Sequence, residues 1–272
     1  MKTRLVCSFV ALLFLTAGRS RADTLPDIPV ERVLLPLTVK NAPGAFGTQW
    51  TTELWLRLDT TRPSVFIMPL FARSNCDPPC PLPGGPLENA SFPVDFFKTA
   101  PGELPGSLLY VQQDAIDDLF ISLRLLEVSG FYSTPTLQLP VVRERDFSSR
   151  RIHILGIPGR PGLRGLLRVY GIDPDVTGDV RVAAFREEGG QFNQLLFDMT
   201  VPLTVVQREY AAGPFRVRVR PPVAQLDLSW LIPVDVTLYR LEITPVSPGL
   251  RIWGFASVTD NATQEIVLRT PR

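Results

Sequence analysis

The sequence predicts an all-β protein built as two immunoglobulin-like antiparallel β-sandwich domains in tandem. Three observations carry that expectation. Short apolar runs alternate with polar residues at period two. The 272-residue chain carries 27 prolines and few helix-favouring stretches, which suits many short strands joined by loops. An order of strand, acidic turn and strand near the start is met again past the middle. Roughly seven strands per half, spaced by about 8 to 15 residues, match such a sandwich.

The domain plan begins with residues 1–22, which read as a secretory signal. Lys2 and Arg4 form a basic start, Leu5 to Ala17 is apolar, and Ser20-Arg21-Ala22 offers small residues for cleavage. The apolar run is shorter than the roughly 20 residues a bilayer span needs. An uncleaved anchor is the competing reading, since Arg19 and Arg21 are unusual near a cleavage site. Cys7 lies inside the run, so no lipoprotein processing site is read. The expectation is an exported protein, periplasmic, cell-surface or extracellular, with no membrane span after cleavage.

Cleavage removes four basic residues from a chain holding 28 basic and 27 acidic ones, leaving a net charge of about −3. Such a balance gives no electrostatic footprint for nucleic acid. Only Cys76 and Cys80 remain, in C-D-P-P-C within the Pro-rich loop 72–88. In an oxidising compartment they are expected to form a disulfide. So short a loop adds on the order of 2 kcal/mol in the entropic account. A redox pair usually has two intervening residues, and a zinc site needs more ligands.

The first domain is placed at 23–142. A Pro-rich entry leads to a strand over Val33 to Val39. Next comes Trp50 to Leu58, with Leu54, Leu56 and Leu58 on one side and Glu53, Trp55 and Arg57 on the other. A turn over Asp59 to Pro63 and the apolar run Val65 to Phe71 then predict a hairpin. Strands are expected at Ala90 to Phe96, Ser107 to Val111, Leu119 to Val128 and Leu137 to Val142. A helix over Gln112 to Leu126 competes for the third of these. Residues 143–151, RERDFSSRR, hold charges of both signs and only Phe147 to bury, so they read as a solvated linker.

The second domain is placed at 152–272. Strands are expected at Ile152 to Ile157, Leu166 to Gly171, Asp179 to Phe185, Asn193 to Val201 and Phe215 to Val219. More follow at Val234 to Thr244, Arg251 to Asp260 and Glu265 to Arg269, the last two joined by a turn at Asn261-Ala262. Leu166 to Phe185 repeats the pattern of the first hairpin. In Phe215 to Val219 the apolar residues alternate with Arg216, Arg218 and Arg220, predicting one dry and one wet face.

Chemistry is sparse. His153 is the only histidine, which excludes a histidine metal cluster and would force any Ser-His-Asp triad through it. It sits in an apolar strand and reads as an edge or part-buried residue. No G-x-S-x-G elbow or phosphate-cradling loop occurs. Asp114, Asp117 and Asp118, or Glu187 and Glu188, could supply the acid and base of glycoside hydrolysis, though grouped loop carboxylates are more often solubilising. Asp173, Asp175 and Asp179 resemble calcium ligands but lack the loop's spacing and closing glutamate. Trp50, Trp55, Trp230 and Trp253 read first as core; Trp55 and Trp253, each alternating with its strand's core series, are the candidate ligand contacts. Arg216, Arg218 and Arg220 are the candidates for an anionic polymer. Asn89 and Asn261 open glycosylation sequons, meaningful only in a glycosylating host.

The series PGAFGTQWTTELWL (Pro43 to Leu56), the C-x3-C loop, LPVVRER (Leu139 to Arg145) and WGFASVTDNATQ (Trp253 to Gln264) resemble a group of exported proteins of environmental bacteria, known mainly as uncharacterised open reading frames. That resemblance covers most of the mature chain and implies an extracytoplasmic β-sandwich, with no activity or site residue to carry over. The expected function is a non-catalytic binding or structural role toward a protein or surface polymer, with no cofactor. The alternative is a carbohydrate-binding module or a carboxylate-dependent glycoside hydrolase.

Overall fold

The computed structural model describes residues 28–43, 47–58, 64–68, 82–83, 90–93, 102–104, 106–129, 132–187, 193–205, 209–212 and 215–272. These form an all-β protein with antiparallel sheets and no α-helix among the described residues. The signal segment 1–22, the cysteine pair Cys76 and Cys80, and Glu188 lie outside them.

The main strands of the first half are β1 (Val30–Leu35), β2 (Gln49–Leu58), β3 (Ile67–Met68), β4 (Ala90–Pro93), β5 (Ser107–Gln112), β6 (Leu119–Ser129), β7 (Tyr132–Leu139) and β8 (Val142–Arg143), accompanied by short strands at Thr38–Lys40, Ala42–Pro43, Ser64–Val65, Leu82–Pro83 and Gly102–Leu104. One sheet runs β8-β1-β5-β3, and the facing one runs β4-β2-β6-β7 with a short flanking pair at Ala42–Pro43. Their shared core takes Val33, Leu35, Ile67, Leu109 and Val111 from one sheet and Leu54, Leu56, Leu123 and Leu125 from the other, all under 5% exposed.

Ten strands build the second half: β9 (Ile152–Pro158), β10 (Leu163–Gly171), β11 (Asp179–Arg186), β12 (Leu195–Pro202), β13 (Glu209–Ala212), β14 (Phe215–Arg218), β15 (Val223–Asp227), β16 (Leu238–Pro245), β17 (Ile252–Asp260) and β18 (Ile266–Arg269). Its sheets are β9-β16-β11-β12 and β15-β10-β17-β18, while β13 and β14 form a separate hairpin. The core between them holds Ile154, Val182, Leu241 and Ile243 from one sheet and Leu167, Val169, Ala256 and Val258 from the other.

The two halves share one connectivity. Strands β1, β2, β3, β4, β5, β6 and β7 make β1-β5-β3 and β4-β2-β6-β7; strands β9, β10, β11, β15, β16, β17 and β18 make β9-β16-β11 and β15-β10-β17-β18.

The predicted hairpin around Asn261-Ala262 forms, with β17 pairing β18 from Ala256↔Arg269 to Thr259↔Ile266, but the two expected at Trp50 to Phe71 and Leu166 to Phe185 do not. Strand β2 pairs over its whole length with β6, from Leu58↔Leu119 to Gln49↔Val128, and β3 crosses to the opposite sheet and pairs with β5. The reason lies in residues 65–68, which are all buried. A run buried on both sides belongs inside a core and not on a half-wet hairpin arm. Likewise β10 and β11 lie in different sheets, so 172–178 is a corner. The predicted strand over Leu119 to Val128, and not the competing helix, is what forms.

The segment 143–151 is solvated only in part: Arg145, Asp146, Ser149, Arg150 and Arg151 are exposed, but the segment is tied to both halves. It opens within β8, Arg143 pairs with Glu31 and Asp117, and Phe147 is 7% exposed. Ser148 then exchanges backbone hydrogen bonds with Ile252. The halves are joined further by packing: Tyr170, Val217, Val219, Trp253 and Phe255 of the second belong to the first half's core cluster. The Tyr170 hydroxyl donates to the Pro36 carbonyl, and Leu108 N–H donates to Val219 O at 2.8 Å.

Candidate functional site

Strand β10 has both faces covered along Leu167 to Gly171, and that sets up the site. Leu167 and Val169 point into the second half's own core. By alternation Arg164, Leu166, Arg168 and Tyr170 point the other way, toward the first half. Their partners on β17 are Thr259, Ser257, Phe255 and Trp253 in that order. At one end of this face Tyr170, Trp253 and Phe255 stack, with centroids 5.9 to 6.4 Å apart. Toward the other end the face turns polar and the two halves part, leaving a cleft of about 360 Å³.

The walls differ in chemistry. From the first half come Leu37, Val39, Ala42, Pro43 and Trp50, joined by Leu125, Leu137 and Leu139, all apolar. Apart from the Trp50 indole N–H, the polar side chains come from the second half: Arg164, Arg168, Asp227, Ser229, Ser257 and Thr259, beside its apolar Leu166, Phe255, Ile266 and Leu268. Arg168 is 4% exposed, with its guanidinium 5.7 Å over the Phe255 ring. Burial lowers its pKa, an effect partly offset by Tyr170, whose own pKa burial raises. Arg164, by contrast, is exposed.

An ion-pair cluster also locks the halves together. Arg32 donates to Glu144 at 2.6 and 2.9 Å, to Asp173 at 2.8 Å and to the Ile172 carbonyl at 3.1 Å. Arg251 donates to Glu144 at 2.9 Å and to Asp173 at 3.0 Å. Burial pushes the Glu144 carboxyl up, but hydrogen bonds from Arg32 and Arg251 outweigh it and bring the pKa down to about 2. The same opposition leaves Asp173 lowered.

The residues singled out from sequence do not converge. Trp253 is 7% exposed inside the aromatic stack, so burial removes it as a ligand platform. Trp55 is half-buried on the outer face of β2; its indole N–H donates to Glu53, and Arg124 lies 5.6 Å over its ring. Arg218 is 5% exposed and paired with Asp175, and its neighbours Val217 and Val219 are buried as well. The expected wet arginine face is therefore covered at this position. Arg220 is half-buried, and the side chain of Arg216 lies outside the described residues.

The other candidates scatter too. His153 Nδ1 stands 3.9 Å from Glu242. Asp117 pairs with Arg143 and Glu187 accepts the Gly156 N–H at 2.9 Å, so each is engaged at a separate place. Asp173 and Asp175 serve arginines, and among the described residues no group of three ligand-type side chains could hold a metal.

Sequence reasoning misplaced one feature and passed over another. Trp230, read first as core, is 88% exposed, and Val234, expected to open a strand that in fact starts at Leu238, is 77% exposed in the loop after β15. The cleft had no local signal at all, because its walls come from residues between 37 and 268. No family model, curated protein or solved structure matches the chain.

Proposed function

We propose that this is an exported, non-catalytic protein of two immunoglobulin-like domains, 23–142 and 152–272, that binds a ligand in the cleft between them. The repeated connectivity of the halves supports the tandem reading, and the leader-like residues 1–22 support export. The observation that carries the binding reading is the cleft: about 360 Å³, within the usual range for ligand sites, largely apolar and holding a few convergent polar groups. The packed and ion-paired junction suits it, since a site shared by two bodies needs them held together.

The test is binding of a neutral apolar dye, N-phenylnaphthylamine, followed by its fluorescence. Saturable binding abolished by Leu137→Trp, which fills the cleft, is the expected result. Binding unchanged by that substitution would place the site elsewhere.

A carbohydrate-binding role is the second reading, favoured by the exposed Trp230, since an exposed indole can stack on a sugar face. Glycan-array binding lost on Trp230→Ala, with Trp55→Ala as the comparison, would support it over the first.

A further inference from the structure

We infer that the cleft takes a single-chain amphiphile with an anionic head group, a fatty-acid-like carboxylate, its chain against the first-half wall and its head group beside Arg168. This rests on the cleft reading above and specifies its ligand. The first-half wall is apolar apart from the Trp50 indole N–H, so it can hold a chain by burial and dispersion and offers hydroxyls a single side-chain donor. A sugar would leave most of its polar groups on that side unsatisfied, which is costly.

The second-half wall sets the charge. It carries two guanidinium groups against the one carboxylate of Asp227. Arg164 stands exposed, whereas Arg168 is almost fully enclosed beside Phe255. An anion is attracted to that pair and a cation repelled, and a guanidinium fork matches a carboxylate in two parallel hydrogen bonds. Burial has already lowered the basicity of Arg168, and a carboxylate seated beside it would reverse part of that cost. The volume lies toward the small end of ligand sites, which suits one chain over two.

The experiment is calorimetric titration of the full mature protein with dodecanoate, dodecanol, dodecylammonium and butanoate, each below its self-association concentration. Dodecanoate is expected to bind about tenfold more tightly than dodecanol or dodecylammonium, from one charge-assisted contact, and at least about a hundredfold more tightly than butanoate, from burial of the longer chain. Arg168→Met is expected to remove about that tenfold for dodecanoate and leave dodecanol unchanged. Should Arg168→Met fail to fold, the exposed Arg164→Met and the four-ligand comparison on the unaltered chain decide. Dodecanol binding as tightly as dodecanoate, or dodecylammonium binding more tightly, would overturn the anionic head group. Butanoate matching dodecanoate would overturn the chain. If none of the four binds while N-phenylnaphthylamine still does, this inference falls and the cleft reading stands; if the dye fails too, both fall.

Discussion

Replacing Glu144 by Gln tests whether the two halves are held as one unit. The carboxylate accepts from Arg32 and Arg251 at 2.6 to 2.9 Å and is 23% exposed. Its pKa falls from 4.5 to about 2 in the folded state. At about 1.4 kcal/mol per unit this bounds the contribution near 3 kcal/mol, and solvent screening of a partly exposed group reduces it to about 2 kcal/mol. Because the folded pKa is depressed, that stability is fully present above pH 4.5 and is lost as pH falls toward 2. Urea unfolding of the native chain and of Glu144→Gln, run at pH 7, 5, 4 and 3, should show a gap of about 2 kcal/mol at pH 7 that narrows below about pH 4.5. Arg32→Met should show strong coupling to Glu144→Gln in a double-mutant cycle. A gap under about 0.5 kcal/mol at pH 7, or one that does not change with pH, would refute the argument, because it would mean the cluster is screened as a surface pair is.

The tryptophans should separate by burial. Trp253→Ala should cost about 3 to 5 kcal/mol in urea unfolding and Trp230→Ala less than about 0.5 kcal/mol. Tyr170→Phe removes the hydroxyl that donates to the Pro36 carbonyl, with an expected loss of about 1 kcal/mol. Gly106 has φ +141, and a Cβ there would stand 2.9 Å from Tyr170 Cε1 and 3.3 Å from the Leu35 carbonyl oxygen. Gly106→Ala should therefore lower the thermal midpoint and cost roughly 1 to 3 kcal/mol.

Much of the strand pattern was legible because the first core needs it. Leu54 and Leu56 alternate with Trp55, and the structure buries the leucines at 2% and 1%. Pairing was less legible. Strand β2 finds its partner in β6, some sixty residues on, past a four-residue run that local rules would close as a hairpin. The unbroken burial of residues 65–68 was the available clue. Strand β15 was missed: it follows Pro221-Pro222, and its AQLD has little alternation. The site was illegible for a different reason. Period-two reasoning assigns one face to the core and the other to water, and β10 and β17 have no wet face where they pack on the first half. Arg168 and Arg218 thus sit where the pattern places surface charge, at 4% and 5% exposure.

The shared connectivity explains why two tryptophans that looked alike in sequence differ in fate. Trp55 of β2 and Trp253 of β17 both lie on the outer face of the corresponding sheet, opposite the residues that enter that half's own core. In the first half that face carries Glu53, Trp55, Ser122 and Arg124, a polar surface on which the indole is half-covered by its neighbours. In the second half the equivalent face carries Tyr170, Trp253 and Phe255, and another core lies against it. The exchange of polar for aromatic residues on one repeated surface is what converts two similar sandwich-like units into an asymmetric pair. The aromatic stack extends over only part of that face. Where it gives way to Arg168, Arg164, Ser257 and Thr259 the contact opens, so the cleft is the boundary between the glued and unglued parts of a single sheet surface. Aromatic substitutions at Ser257 and Thr259 would extend the stack, and on this account they would close the cleft without disturbing either core.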